Sequence, residues 1–174
     1  MNRNEITKSL SDLVRKRLSN SSNSSFFAEE VELDFGESRV DFIGFKPFNL
    51  LQNGMCAASI DKGTFSFYEI KSCLADFNSG YGKNFLGDEN YLVCERDLAD
   101  ELQEKGMLPH GVKVIVPNKP RTALIVAYDL SNSFGNWSRR TKSSSELLWN
   151  MISARTSNKV DKVLSEVEEN DFTQ

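Results

Sequence analysis

The chain has few of the residues on which many familiar chemistries depend. Of its 174 residues only three are cysteine and one is histidine. Cys56, Cys73 and Cys94 are odd in number, far apart and without a Cys-x-x-Cys pair. That argues against both a disulfide framework and a structural zinc site, and leaves buried free thiols as the plain reading. His110 stands alone in the turn Leu108-Pro109-His110-Gly111, so nothing supports Ser–His–Asp or Cys–His catalysis. No apolar run approaches bilayer length, and Met1-Asn2-Arg3-Asn4-Glu5 is polar where a signal peptide would be hydrophobic. The expectation is a cytoplasmic protein without a membrane partner. An excess of positive charge is missing too: 21 basic residues face 25 acidic ones, for a net charge of −4. This argues against a basic nucleic-acid coat protein. It does not exclude an enzyme of nucleic acids, which needs an acidic metal site and only a local basic stripe. Arg139-Arg140 with Lys142, and Lys113 with Lys119 and Arg121, are candidates for such a stripe, as is ordinary solvated surface.

What is present is ordinary globular material, 39% hydrophobic and 26% charged, enough for one domain with a core. That domain is read as residues 1–156, with 157–174 a charged tail or loose helix. Ile6, Leu10, Leu13, Val14 and Leu18 recur at helical spacing over residues 4–19. After the polar run Asn20–Ser25, strands are expected over 26–35, 39–45 and 64–71, separated by a broken stretch from Lys46 to Gly63. A short helical pattern starts at Leu74. A strand at 91–94 leads into an amphipathic helix from Arg96 to Lys105, ended by Gly106. Strands at 112–116 and 122–127 and a helix over 146–155 follow. The order gives an α/β fold on a mixed β-sheet flanked by helices.

The chemistry concentrates in two of these strands. In Phe67-Tyr68-Glu69-Ile70-Lys71, Glu69 and Lys71 leave the same face and Ile70 the other. Arg39-Val40-Asp41 adds a second acid on the neighbouring strand. Most Glu-x-Lys pairs are solvated and worth little. Within a strand this apolar, charges are costly unless paired or metal-bound, so a divalent-cation site able to activate water against a phosphodiester is the sharper reading.

These residues resemble the PD-(D/E)xK nuclease superfamily, with its restriction-endonuclease-like αβββαβ core. They are more narrowly similar to small phage or prophage members related to the MmcB-like DNA-repair group. The resemblance rests on Phe26-Phe27-Ala28-Glu29-Glu30-Val31, Arg39-Val40-Asp41, Tyr68-Glu69-Ile70-Lys71-Ser72-Cys73-Leu74-Ala75-Asp76-Phe77, Gly82-Lys83-Asn84-Phe85, Asn90-Tyr91-Leu92-Val93 and Pro109-His110-Gly111-Val112. It spans roughly residues 26–116, with Val40 where the superfamily's proline would stand.

The resemblance implies a metal-dependent deoxyribonuclease acting on DNA in phage replication, repair or host takeover. Asp41 and Glu69 would hold Mg²⁺ or Mn²⁺, with the Ile70 carbonyl completing the set and Glu30 adding a third carboxylate, or Glu29 if the register is off by one. Lys71 would stabilise charge on the attacking water or the transition state, or serve as general base. Asp76 suits a helix cap or the site, and Lys83 a phosphate contact. Trp137 with Arg139 and Arg140 suits stacking or phosphate contact from a loop. A homodimer fits this reading. The alternative is a non-catalytic phage protein on the same fold that binds or inhibits a host nucleic-acid machine.

Overall fold

The computed structural model describes residues 2–80, 85–131 and 140–156. Helix α1 (Arg3–Leu18) starts where Asn2 and Glu5 form a reciprocal cap. The Asn2 side chain accepts from the Glu5 N–H and the Glu5 carboxylate from the Asn2 N–H, both at 2.9 Å. Glu5 at the helix start and Arg15, Lys16 and Arg17 in its last turn complement the helix dipole. Six strands follow: β1 (Phe26–Leu33), β2 (Ser38–Lys46), β3 (Thr64–Ile70), β4 (Glu89–Val93), β5 (Lys113–Pro117) and β6 (Leu124–Asp129). They form one sheet in sequence order, with β3–β4 and β4–β5 parallel and the other pairs antiparallel. The sheet is mixed, as the strand pattern predicts.

The parallel pairs need crossovers, and α4 (Leu74–Asn78) and α5 (Arg96–Glu104) lie in them. The stretch 46–63, patternless in the sequence, holds two short helices, α2 (Leu50–Asn53) and α3 (Ala57–Asp61). A last helix, α6, spans 144–156. Strand β1 stops at Leu33, two residues before the predicted end, because Asp34–Gly36 close a 3₁₀ turn with Gly36 at φ +88°.

The alternation of β3 sorts the core into layers. Tyr68 and Ile70 face α1 together with Phe42, Tyr91 and Val93, against Leu10, Leu13, Val14 and Leu18. Phe65 and Phe67 face the other way, onto Leu147 and Met151 of α6. Beside them Leu92, Val114 and Val116 pack against Phe77, Leu98 and Leu102 of α4 and α5. Each fully buried aliphatic or aromatic side chain contributes about 1.5–3 kcal/mol, so this three-layer packing supplies most of the stability. Gly44 is required by the close approach of α1: a Cβ there would stand 2.6 Å from Leu18 Cδ2.

Candidate metal centre

Strands β1 and β2 both break their alternation at one place. Ala28, Val31 and Leu33 share one cluster, as do Val40, Ile43 and Phe45, although strict alternation would separate 28 from 31 and 40 from 43. Register runs from Glu29↔Phe42 to Val31↔Val40, and the Glu30–Asp41 pair between them is missing from the ladder. Glu30 takes φ +52°, a left-handed conformation that costs a non-glycine residue about 1–2 kcal/mol. This paired kink puts an acid at each of its two positions.

The ladder between β2 and β3 ends at the same level, at Phe42↔Tyr68. Beyond it the Asp41 carboxylate stands in for a strand carbonyl: its Oδ2 accepts from the Ile70 N–H at 2.7 Å. That bond fixes Asp41 beside the C-terminal end of β3. Lys71 continues the chain with its own N–H donated to the Val93 carbonyl at 2.9 Å. Ile70 turns to the α1 face, as its position predicts.

Asp41, Glu69, Lys71, Glu30 and Asp76 line one cavity of about 690 Å³. Glu69 is 1% exposed and Lys71 is 5% exposed. Glu69 Oε1 is buried without a hydrogen-bond partner. Burial, with Asp41 close by and only partly offset by Lys71, pushes the Glu69 carboxyl up to about 9. Burial likewise raises Asp41, against the opposing pull of the Ile70 N–H and Lys71. Glu30 is raised by burial too, while Arg39 Nε, 2.9 Å from its Oε2, draws it back. Burial also acts to raise Asp76, but the Ser72 N–H and hydroxyl, both 3.0 Å from its Oδ2, outweigh it and hold this carboxyl below the usual range. Asp76 therefore serves two tasks: from the first turn of α4 it holds Ser72 in the segment leading into that helix, and it borders the cavity; the cap position itself, Cys73, makes no side-chain cap bond. Its Oδ1 also accepts from Arg3 at 3.0 Å.

Among the described residues no three histidine, cysteine or acidic side chains are gathered into a ready-made cage. A hard cation that keeps several waters needs only one or two carboxylates. An orphaned carboxylate oxygen beside a second carboxylate suits such an ion, so Asp41 and Glu69 fit Mg²⁺ or Mn²⁺. Glu30 lines the cavity, whereas Glu29 is engaged by Arg15 on the α1 side at 2.6–3.0 Å.

The expected basic stripe is largely committed elsewhere. Arg140 turns inward rather than toward a ligand: it donates to the carbonyls of Gly63 and Asp61 and to Asp88, and lies 5.0 Å above the Phe65 ring. Lys142 is held between Asp34 and Glu146, and Arg121 by Glu95. Lys83, Trp137 and Arg139 lie outside the described residues, as does the 157–174 tail. Positive charge at the cavity comes instead from Arg39 and from Arg3 at the start of α1. Nothing in the sequence marks Arg3, because only the packing of α1 brings it there.

No family model matches this chain, and no curated protein does. Among solved structures, a protein of unknown function from Silicibacter pomeroyi is similar at a TM-score of 0.54 and 14% identity, over 98% of this chain and 94% of that one. At that identity the likeness bears on the fold alone, and it extends over nearly the whole of a mixed α/β chain.

Proposed function

We propose that the chain is a nuclease of restriction-endonuclease-like fold that hydrolyses DNA phosphodiester bonds with Mg²⁺ or Mn²⁺ as cofactor. One observation carries this reading: the almost fully buried Glu69 carboxylate, with an orphaned oxygen, beside Asp41 and Lys71 where two strands part. Even protonated, a buried carboxyl with an unsatisfied oxygen costs about 1–3 kcal/mol, which a fold with no use for a cation gains nothing by bearing.

Asp41 and Glu69 would hold the ion, with Glu30 and the Ile70 carbonyl as further oxygen donors. Once bound, it supplies neutralisation of phosphate charge and a more acidic water. The chain's own groups do the rest. The Ile70 N–H orients Asp41, so the carboxylate needs little reorganisation on binding. Lys71, two residues from Glu69 and on the same cavity, stabilises negative charge on the attacking oxygen and the pentavalent transition state. Arg3 and Arg39 supply charge for phosphates flanking the bond.

Incubation with plasmid and single-stranded DNA plus Mg²⁺ or Mn²⁺, alongside Glu69→Ala and Lys71→Ala, tests this. Cleavage lost in both variants supports it. Binding of DNA without cleavage by the wild type would favour a non-catalytic nucleic-acid binder and end the enzyme reading.

A further inference from the structure

A second cavity, of about 440 Å³, opens at the C-terminal end of α1, whereas the cavity that holds Glu69 reaches Arg3 and Thr7 near the start of that helix. Its lining comes from Thr64, Ser66 and Tyr68 of β3, Glu89 and Tyr91 of β4 and Arg17 of α1, and shares no residue with the cavity that holds Glu69. Its size falls in the range of small-molecule sites.

Its floor is a built polar surface. The Tyr68 and Tyr91 rings stack with centroids 4.5 Å apart and 10° between planes. Arg17 lies 5.3 Å over the Tyr91 ring and donates from Nε to the Tyr68 hydroxyl at 3.3 Å. Among the described residues this half-buried guanidinium has no carboxylate partner, its contacts being with Tyr68 and Tyr91, so its charge is left for an anion. Lys46, whose Nζ donates to the Ser22 carbonyl at 2.5 Å, places a second cation on the same wall. Across from them Glu89 accepts from Ser66 and Tyr91 through Oε2 at 3.1 and 2.9 Å, leaving Oε1 to accept from a ligand. Burial raises both tyrosines, so they stay protonated donors at neutral pH. Phe48, 44% exposed, stands at the mouth beside Asn49, which is held at a strained φ of +46°.

Two cations facing one carboxylate do not suit a bare anion, which Glu89 would repel, nor a triphosphate, which carries too much charge. We propose that this cavity binds a nucleoside monophosphate, with the phosphate on Arg17 and Lys46, a sugar hydroxyl or base amine on Glu89, and the base against Phe48. The inference does not depend on the nuclease reading.

Calorimetric titration of the full chain with AMP, at low salt and in EDTA, tests it. Saturable one-site binding is expected, with adenosine and inorganic phosphate each at least about tenfold weaker. Arg17→Gln should weaken AMP by at least about tenfold, a loss in the range of a charge-assisted hydrogen bond. Phe48→Ala, on an exposed rim where folding is not at stake, should weaken AMP and leave phosphate unchanged. Glu69→Gln should bind AMP like the wild type. A 5′-phosphorylated oligonucleotide that displaces AMP would identify the ligand as a strand end, and one that does not would identify it as the free nucleotide. Phosphate binding as tightly as AMP, wild-type titrations from both Arg17→Gln and Phe48→Ala, or loss of binding in Glu69→Gln would overturn the proposal.

Discussion

Two glutamates on adjacent strands of one sheet meet opposite fates. Glu89 opens β4 with one carboxylate oxygen shared by the Ser66 and Tyr91 hydroxyls. Its neighbour Asp88 takes the Phe65 N–H at 2.8 Å and Arg140 at 3.1 Å. Glu69, at the far end of β3, is more deeply buried than either and keeps an orphaned oxygen. Acids at the start of β4 each take hydrogen bonds from within the chain and leave no buried oxygen orphaned. Those at the end of β3 are gathered where β1 and β2 kink and the ladder stops. Satisfied acids stabilise a fold, whereas acids crowded together unsatisfied detract from it, and that contrast sets the candidate metal centre apart from its surroundings.

Exchanging acids for neutral residues at both ends breaks the comparison most sharply. Glu69→Gln should reduce DNA cleavage by a factor on the order of 10³ or more, the scale of losing a principal charge-stabilising group. Its melting temperature should match or exceed that of the wild type, because an uncompensated buried carboxyl disappears. Asp88→Asn should do the reverse, costing about 1–3 kcal/mol in denaturant unfolding while cleavage stays within a few-fold. Glu69→Gln cutting DNA normally would place the chemistry elsewhere.

The next effect is proton linkage. With Glu69 pushed up to about 9, the carboxyl is protonated at neutral pH without metal. Binding a divalent cation must therefore expel about one proton, and affinity should rise close to tenfold per pH unit on approaching that value. Calorimetry in two buffers of different ionisation enthalpy measures the proton count, and Glu69→Gln should abolish it. The sign for stability is opposite. A raised acid favours folding in its protonated form, so its contribution is complete below about 4.5 and is lost as pH climbs toward about 9. Metal-free melting temperatures of the wild type should fall through that window relative to Glu69→Gln.

Much of the fold was legible in the sequence because its strands carry the alternation that a half-covered sheet requires. Phe67, Tyr68, Glu69, Ile70 and Lys71 fall on the faces their parity predicts, and α1 and α5 bury the stripes their spacing marks. Asp41 was readable as a candidate because it is a second acid on the strand neighbouring Glu69 and Lys71, but its orientation was not. The kink opposite Glu30 shifts the parity of β1 and β2 together, and a positive φ at a glutamate leaves no composition signal. The inward turn of Arg140 was equally hidden, since Gly63, Asp88 and Phe65 lie 52 to 77 positions away along the chain.

Arg140 therefore extends the contrast to the basic residues. It is mostly buried at 16% side-chain exposure, with three hydrogen-bond acceptors and an aromatic face. Arg140→Gln should cost about 2–3 kcal/mol of stability, as for hydrogen bonds to a charged group, and leave the KM for DNA within about twofold. A large rise in KM with unchanged stability would instead make it a phosphate contact.

The smallest effect belongs to Arg39, whose pairing with Glu30 joins two half-exposed or exposed side chains at 2.9 Å. Such pairs are worth about 0–1 kcal/mol, so Arg39→Gln should barely move the melting temperature. Its value lies in the direction of two other readouts. Releasing Glu30 from its partner leaves that carboxylate free to add to the cation's oxygen set, so divalent-metal affinity should increase a few-fold. Removing positive charge from the cavity rim should weaken DNA by a similar factor and flatten the salt dependence by about one phosphate contact. Metal and DNA affinities moving in opposite senses would place Arg39 between the acids and the phosphates; both falling together would mean that it only braces the kinked strand pair.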